Sequence, residues 1–161
     1  MRKIFGTTIS ELGEKDPKVV VLDGDLGRGI FDDFRKKFPT RYFNLGVCEQ
    51  SMISIAAGMA LEGLTPFVFS ITPFLFERPF EQIKIGLDSQ KTNVKLVGYA
   101  DYPGMGPTHA ELDWKKIAPC FKNMKFFFPE GPEEEGKKAI LNAYEYQGPA
   151  AVSLKKAKPL I

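Results

Sequence analysis

Arg41-Tyr42-Phe43-Asn44-Leu45-Gly46-Val47-Cys48-Glu49-Gln50 runs without a break into Ser51-Met52-Ile53-Ser54-Ile55-Ala56-Ala57-Gly58-Met59-Ala60-Leu61. The first four residues read as a brief strand. Val47–Leu61 reads as a helix whose Met52, Ile53, Ile55, Ala56, Ala57, Met59, Ala60 and Leu61 leave almost no polar face, with Gly63 as its cap. A helix apolar nearly all round is buried on every side or lies against another chain. Such a strand-to-helix step points to a layered α/β architecture.

Outward from this stretch the same alternation repeats. Upstream, Ile4, Ile9 and Leu12 share one helical face, and Gly13 with Pro17 closes that helix. Residues 18–22 form a short β-branched run, read as a buried strand, followed by the turn Asp23-Gly24-Asp25-Leu26-Gly27. Ile30, Phe31, Phe34 and Phe38 then recur at helical spacing, with Asp32 and Asp33 early, basic residues late and Pro39 as the stop. Downstream, residues 66–70 and 94–98 read as strands, separated by a helix that Pro79 starts and that carries Phe80, Ile83 and Leu87. Strands at 125–128 and 150–154 flank a helix with Pro132 at its first position and Glu133, Glu134 and Glu135 in its first turn. The expected fold is therefore α/β, a mainly parallel sheet with right-handed crossovers and helices on both faces, built by residues 1–161 as one domain.

Composition narrows the function classes. The chain of 161 residues carries 22 Lys+Arg against 20 Asp+Glu, a balance that argues against a dedicated nucleic-acid binder. No apolar run approaches the length of a membrane span and residues 1–15 do not resemble a leader, so neither membrane insertion nor secretion is expected. Cys48 and Cys120 fit no disulfide framework, and a reduced, cytoplasmic setting follows.

In parallel sheets ligands sit outside the carboxyl ends of the strands, so the loops after Leu22, Asn44, Ser70, Gly98 and Phe128 matter most. Asp23-Gly24-Asp25 offers carboxylates to a divalent cation, or is simply a turn in which Asp and Gly supply the tight backbone, the ordinary reading. Glu49 is the only acidic residue between Asp33 and Glu62. It is either a helix-start acid complementing the dipole or, beside so apolar a helix, a partly desolvated carboxyl able to give a proton near neutrality. Phe74 and Phe76 stand in the Pro-bounded stretch after Ser70, as core aromatics or as a platform for a flat ring. Beyond Tyr102-Pro103-Gly104-Met105-Gly106-Pro107, Thr108-His109-Ala110-Glu111 has the form of a capping box, which puts the only histidine at a helix start on the ligand side.

Taken in order, these residues resemble the pyrimidine-binding domain of the transketolase family of thiamin-diphosphate enzymes. The likeness runs from Asp16-Pro17 and the strand at 20–26 through Asn44-x-Gly46-x-x-Glu49-Gln50, Ala56-Ala57-Gly58-Met59-Ala60 and Gly106-Pro107-Thr108-His109 to Gly148-Pro149. The resemblance implies that Glu49 hydrogen-bonds N1′ of the cofactor's aminopyrimidine and favours the 4′-imino tautomer that deprotonates the thiazolium, the cofactor carrying the electron-sink chemistry. It implies that Phe74, Phe76 and Phe80 pack around the pyrimidine, that Asp25 and Gly46 lie near the cofactor, and that His109 lies near the substrate's reacting oxygen. It further implies oligomer contacts through Val47–Leu61. The family holds the diphosphate and Mg2+ on a separate domain bearing Gly-Asp-Gly, which Leu22-Asp23-Gly24-Asp25 does not supply, so no metal is assigned to this chain. Sugar-phosphate transketolases carry an Asp before Gly-Pro-Thr-His and a His after the preceding strand; here stand Met105 and the His-free Gly98-Tyr99-Ala100-Asp101. The expected function is a subunit or fragment of a split transketolase-like enzyme acting on a small sugar with a diphosphate-binding partner subunit. The alternative is a non-catalytic assembly or regulatory module.

Overall fold

The computed structural model describes residues 1–99 and 105–155; positions 100–104, part of the expected ligand-side loop, lie outside them. Six short strands, β1 (Val19–Asp23), β2 (Tyr42–Asn44), β3 (Thr65–Ile71), β4 (Lys95–Tyr99), β5 (Lys125–Phe127) and β6 (Ala150–Leu154), form one sheet in the order β2-β1-β3-β4-β6-β5. Every neighbouring pair is parallel, as the sequence led one to expect. Val, Phe, Leu and Ala dominate the strands because a parallel sheet is covered on both faces and leaves no side for polar residues.

The helices are α1 (Arg2–Lys15), α2 (Asp32–Lys37), α3 (Glu49–Leu61), α4 (Thr72–Glu77), α5 (Phe80–Gln82), α6 (Trp114–Ile117) and α7 (Glu133–Glu145). Side chains alternate across each strand, and this sorts the core into two layers. Val19, Val21, Phe67 and Phe69 meet Phe5, Ile9, Phe31, Phe34 and Ile140 from α1, α2 and α7 and their approaches. Val20, Leu22 and Val68 meet Met52, Ile53, Leu75 and Phe76 on the opposite face. No helix among the described residues is long and apolar enough to cross a membrane.

Three departures from the expected elements stand out. The helix expected from Pro79 is α5 followed by a π-helical segment, Ile83–Ser89, from which the buried carboxylate of Asp88 accepts the backbone N–H groups of Lys122, Asn123 and Met124. The stretch after Ser70 is not a loop but α4, seated on β4 because Gly98 has no side chain to strike Thr72. The long helix begins at Glu49 rather than Val47, and only one side of it is covered. Met52, Ile53, Ala56 and Ala57 are buried, whereas Val47, Ile55 and Leu61 are exposed, Leu61 sharing a surface groove with the likewise exposed Ile85.

One buried cation also belongs to the framework. Lys95 in β4 is fully covered, its ammonium donating to the carbonyls of Tyr146 and Gly148, and burial pushes its pKa down to about 7.

Candidate active site

The strand order reverses direction at β1: β2 lies on one side of it and β3, reached through α3, on the other. Crevices in open α/β sheets form at such a point, outside the strand carboxyl ends. The chain makes the step from β2 into α3 over four residues. The amide of Leu45 donates to the carbonyl of Asp23 (3.0 Å), and the Asn44 side chain accepts the amide of Gly46 (3.0 Å). Gly46 adopts φ 73°, a left-handed conformation that a side chain would strain. Glu49 thus becomes the first residue of α3, beside its positive end, and is 3% exposed.

A buried carboxylate needs a partner, and Glu49 has one. Arg78 Nη1 donates to Oε1 at 2.9 Å and to Oε2 at 3.0 Å, and the Ser70 hydroxyl donates to Oε1 at 3.4 Å. The same guanidinium lies 3.4 Å from the centroid of the Phe74 ring, and the His109 ring meets Phe74 edge-on at 4.8 Å. Glu49, Arg78, Phe74 and His109 therefore form one connected row. Two members of the row, Glu49 and Arg78, border a cavity of about 420 Å³ that Val47, Cys48, Gln50 and Ser51 also line. Chemically the site offers a carboxylate able to accept or share a proton, a hydroxyl, a cation and an aromatic face.

The structure brings Glu49, Phe74 and His109 together, keeps Gly46 in the turn that delivers Glu49, and places Phe76, Phe80 and Asp25 in other contacts. Phe76 is buried in the core, edge-on to Trp114 at 4.9 Å and tilted against Phe126 at 6.2 Å. Phe80 packs on Phe121 at 5.3 Å. Asp25, exposed at φ 63°, accepts the Asn44 side-chain amide at 2.9 Å beside a second cavity, lined in part by Arg28, Arg35 and Tyr42. No capping box forms at 108–111: Pro107–His109 is a single 3-10 turn, Thr108 shares a 3.1 Å hydrogen bond with the His109 ring, and Glu111 pairs with Lys155 at 2.9 Å. His109 closes that turn rather than opening a helix. The Asp23-Gly24-Asp25 stretch is a turn, since Asp23 accepts the amides of Leu26 and Gly27 and the hydroxyl of Tyr42 (2.7 Å). Burial and the adjacent carboxylate hold the Tyr42 hydroxyl well above its ordinary pKa.

Arg78 and Ser70 are the site residues that sequence reasoning missed. A signal existed for the first. Arg78 is the only basic residue between Arg41 and Lys84, and it stands in the segment after Ser70 that the sequence already placed at the ligand end of the sheet. Ser70 carried no such mark, being one hydroxyl at the end of an apolar strand.

The transketolase pyrimidine-binding-domain model matches residues 1–159. The chain belongs to this family. It is 38% identical over 160 residues to a putative transketolase C-terminal section of Methanocaldococcus jannaschii, covering 96% of this chain and 50% of that protein. It is 33% identical over 154 residues to 1-deoxy-D-xylulose-5-phosphate synthase of Marinomonas sp. (strain MWYL1), covering 92% of this chain and 24% of that protein. Among solved structures, a split-gene transketolase described as an inactive β4 tetramer superimposes with a TM-score of 0.86 at 31% identity, over 99% of this chain and 54% of that one. This transketolase-family domain therefore spans half or less of the curated relatives described. The residues of the row suit the ring end of thiamin diphosphate, with a buried carboxylate beside an aromatic face. Among the described residues the cavity lining contributes one cation, Arg78, and it is already paired.

Proposed function

We propose that residues 1–161 are the pyrimidine-binding unit of a split transketolase-like enzyme that transfers a ketol or related two-carbon unit between small sugars. In this reading the diphosphate and Mg2+ are held by a partner subunit, and the active centre is shared. The carrying observation is the buried Glu49 carboxylate at the topological reversal, lining a cavity and joined through Arg78 to the face of Phe74. Support comes from the family membership and from relatives that include a transketolase section and a split-gene transketolase.

When bound, thiamin diphosphate supplies the electron sink for the transfer. Glu49 holds a proton at the pyrimidine N1′, which a buried carboxyl can do and an amide cannot. Phe74 offers its ring face, with Phe80 further along the wall and Phe76 supporting it from the core. Asp25 and Gly46 shape the neighbouring edge, and His109 stands where a substrate oxygen would react. The exposed Val47, Ile55 and Leu61 on and beside α3 form the surface through which this subunit associates.

Glu49→Gln tests the reading in the complex reconstituted with a diphosphate-binding partner. Turnover at saturating cofactor is expected to fall by about 10²–10⁴-fold. Near-wild-type turnover sinks the catalytic assignment and favours an assembly role.

A further inference from the structure

The contacts of Arg78 are those a bound ring would make. Its guanidinium is planar and cationic, with N–H donors in its plane and flat faces above and below. In this chain it donates to both oxygens of Glu49, and its central carbon lies over the Phe74 ring, 3.4 Å from the centroid. A protonated aminopyrimidine has the same features: a flat face to stack, positive charge, and an in-plane N–H for the carboxylate. We propose that Glu49 and Phe74 form a slot for a planar cation, that Arg78 fills it in the resting chain, and that an entering aminopyrimidine ring must evict the Arg78 side chain. The proposal rests on the ring-binding reading of this site and adds a competitor built into the chain.

The surroundings allow such an exchange. The Arg78 side chain is 37% exposed while its partner Glu49 is 3% exposed, so of the two it is the arginine that has room to swing into water. The backbone stays tethered when the side chain leaves, because the Gln50 side-chain amide donates to the Arg78 carbonyl at 3.3 Å. Arg78 is itself part of the lining of the cavity of about 420 Å³. Self-occupancy lowers apparent affinity for the ring by the fraction of time the slot is open. It also keeps Glu49 paired while no ring is bound, which an empty slot would not.

The test uses the chain, Arg78→Ala and the double variant Glu49→Gln/Arg78→Ala, with two probes. Guanidinium chloride at low millimolar concentration is followed by thermal unfolding, and 4-amino-2-methylpyrimidine by calorimetry. Guanidinium is expected to raise the melting temperature of Arg78→Ala but not of the wild type or the double variant. The aminopyrimidine is expected to bind Arg78→Ala about tenfold or more tighter than wild type, the loss of one charge-assisted competitor. Absence of both effects overturns the slot. Tighter ring binding by wild type than by Arg78→Ala overturns the competition while leaving the functional reading intact. Guanidinium rescue without ring binding to any variant overturns the ring as the ligand, and with it the proposed function. Arg78→Lys keeps the charge but not the flat face. Its ring affinity should lie between the two and carries the comparison if Arg78→Ala does not fold, where equality with wild type overturns the proposal.

Discussion

Asp23 and Glu49 are two buried carboxylates at the same end of one sheet, and they are satisfied in opposite ways. Asp23, 1% exposed, is held by the amides of Leu26 and Gly27 and by Tyr42, all fixed by the path of the backbone and the packing of β2. Glu49, 3% exposed, is held by Arg78, a long side chain with more than a third of its surface in water, and more distantly by Ser70. Partners built into the backbone cannot leave without unfolding a turn, whereas a side-chain partner can swing away. The first acid is framework, and the second is the one that the proposed function assigns to a ligand.

The largest expected effect separates them by activity. Glu49→Gln should lose turnover by the factor given above yet cost only about 1–2 kcal/mol of stability, because Gln still accepts a hydrogen bond from Arg78. Asp23→Asn should do the reverse. Its amide NH₂ would face donors at 3.0–3.1 Å, so unfolding by denaturant should show a loss of about 2–4 kcal/mol. Equal stability losses in the two variants would break the distinction.

A buried cation extends the comparison to pH. The Lys95 ammonium falls from 10.5 to about 7 on folding, because burial penalises its charge. Between those values the unfolded chain holds a proton that the folded chain has released, so stability should rise with pH across that window, by at most about 1.4 kcal/mol per pH unit. Denaturation curves of Lys95→Met should lose this slope whatever happens to the absolute stability, as the substitution also strands two carbonyls. An unchanged slope would show that Lys95 stays charged in the fold.

The smallest expected effect concerns the uncovered side of α3. Leu61→Glu, at a position 64% exposed, should change the monomer's stability by no more than about 0.5 kcal/mol while weakening self-association or partner association in sedimentation. Unaltered association would remove this face from the interface.

Much of the framework was legible locally. The β-branched and aromatic runs fixed all six strands to within a residue at either end, because strand composition acts over a few residues, whereas the start of α3 was read two residues early, at Val47. Other features were not. Phe80, Ile83 and Leu87 suit an α-helix or a wider winding equally, and the π-helical segment is settled by Asp88 reaching the amides at 122–124. Thr108-x-x-Glu111 has the letters of a capping box, but the ion pair with Lys155, distant in sequence, claims Glu111 instead.

By itself the sequence determined a parallel α/β sheet, an acid at the head of an apolar helix, and aromatics clustered after β3. These follow from spacing and residue type, which act along the chain. Only the tertiary structure decided that Phe74 faces the site while Phe76 fills the core, since neighbours two apart on a helix point different ways. It alone joined Glu49 to Arg78 across 29 positions. The desolvation of a buried carboxylate selects its partner by distance in space, and sequence separation does not enter.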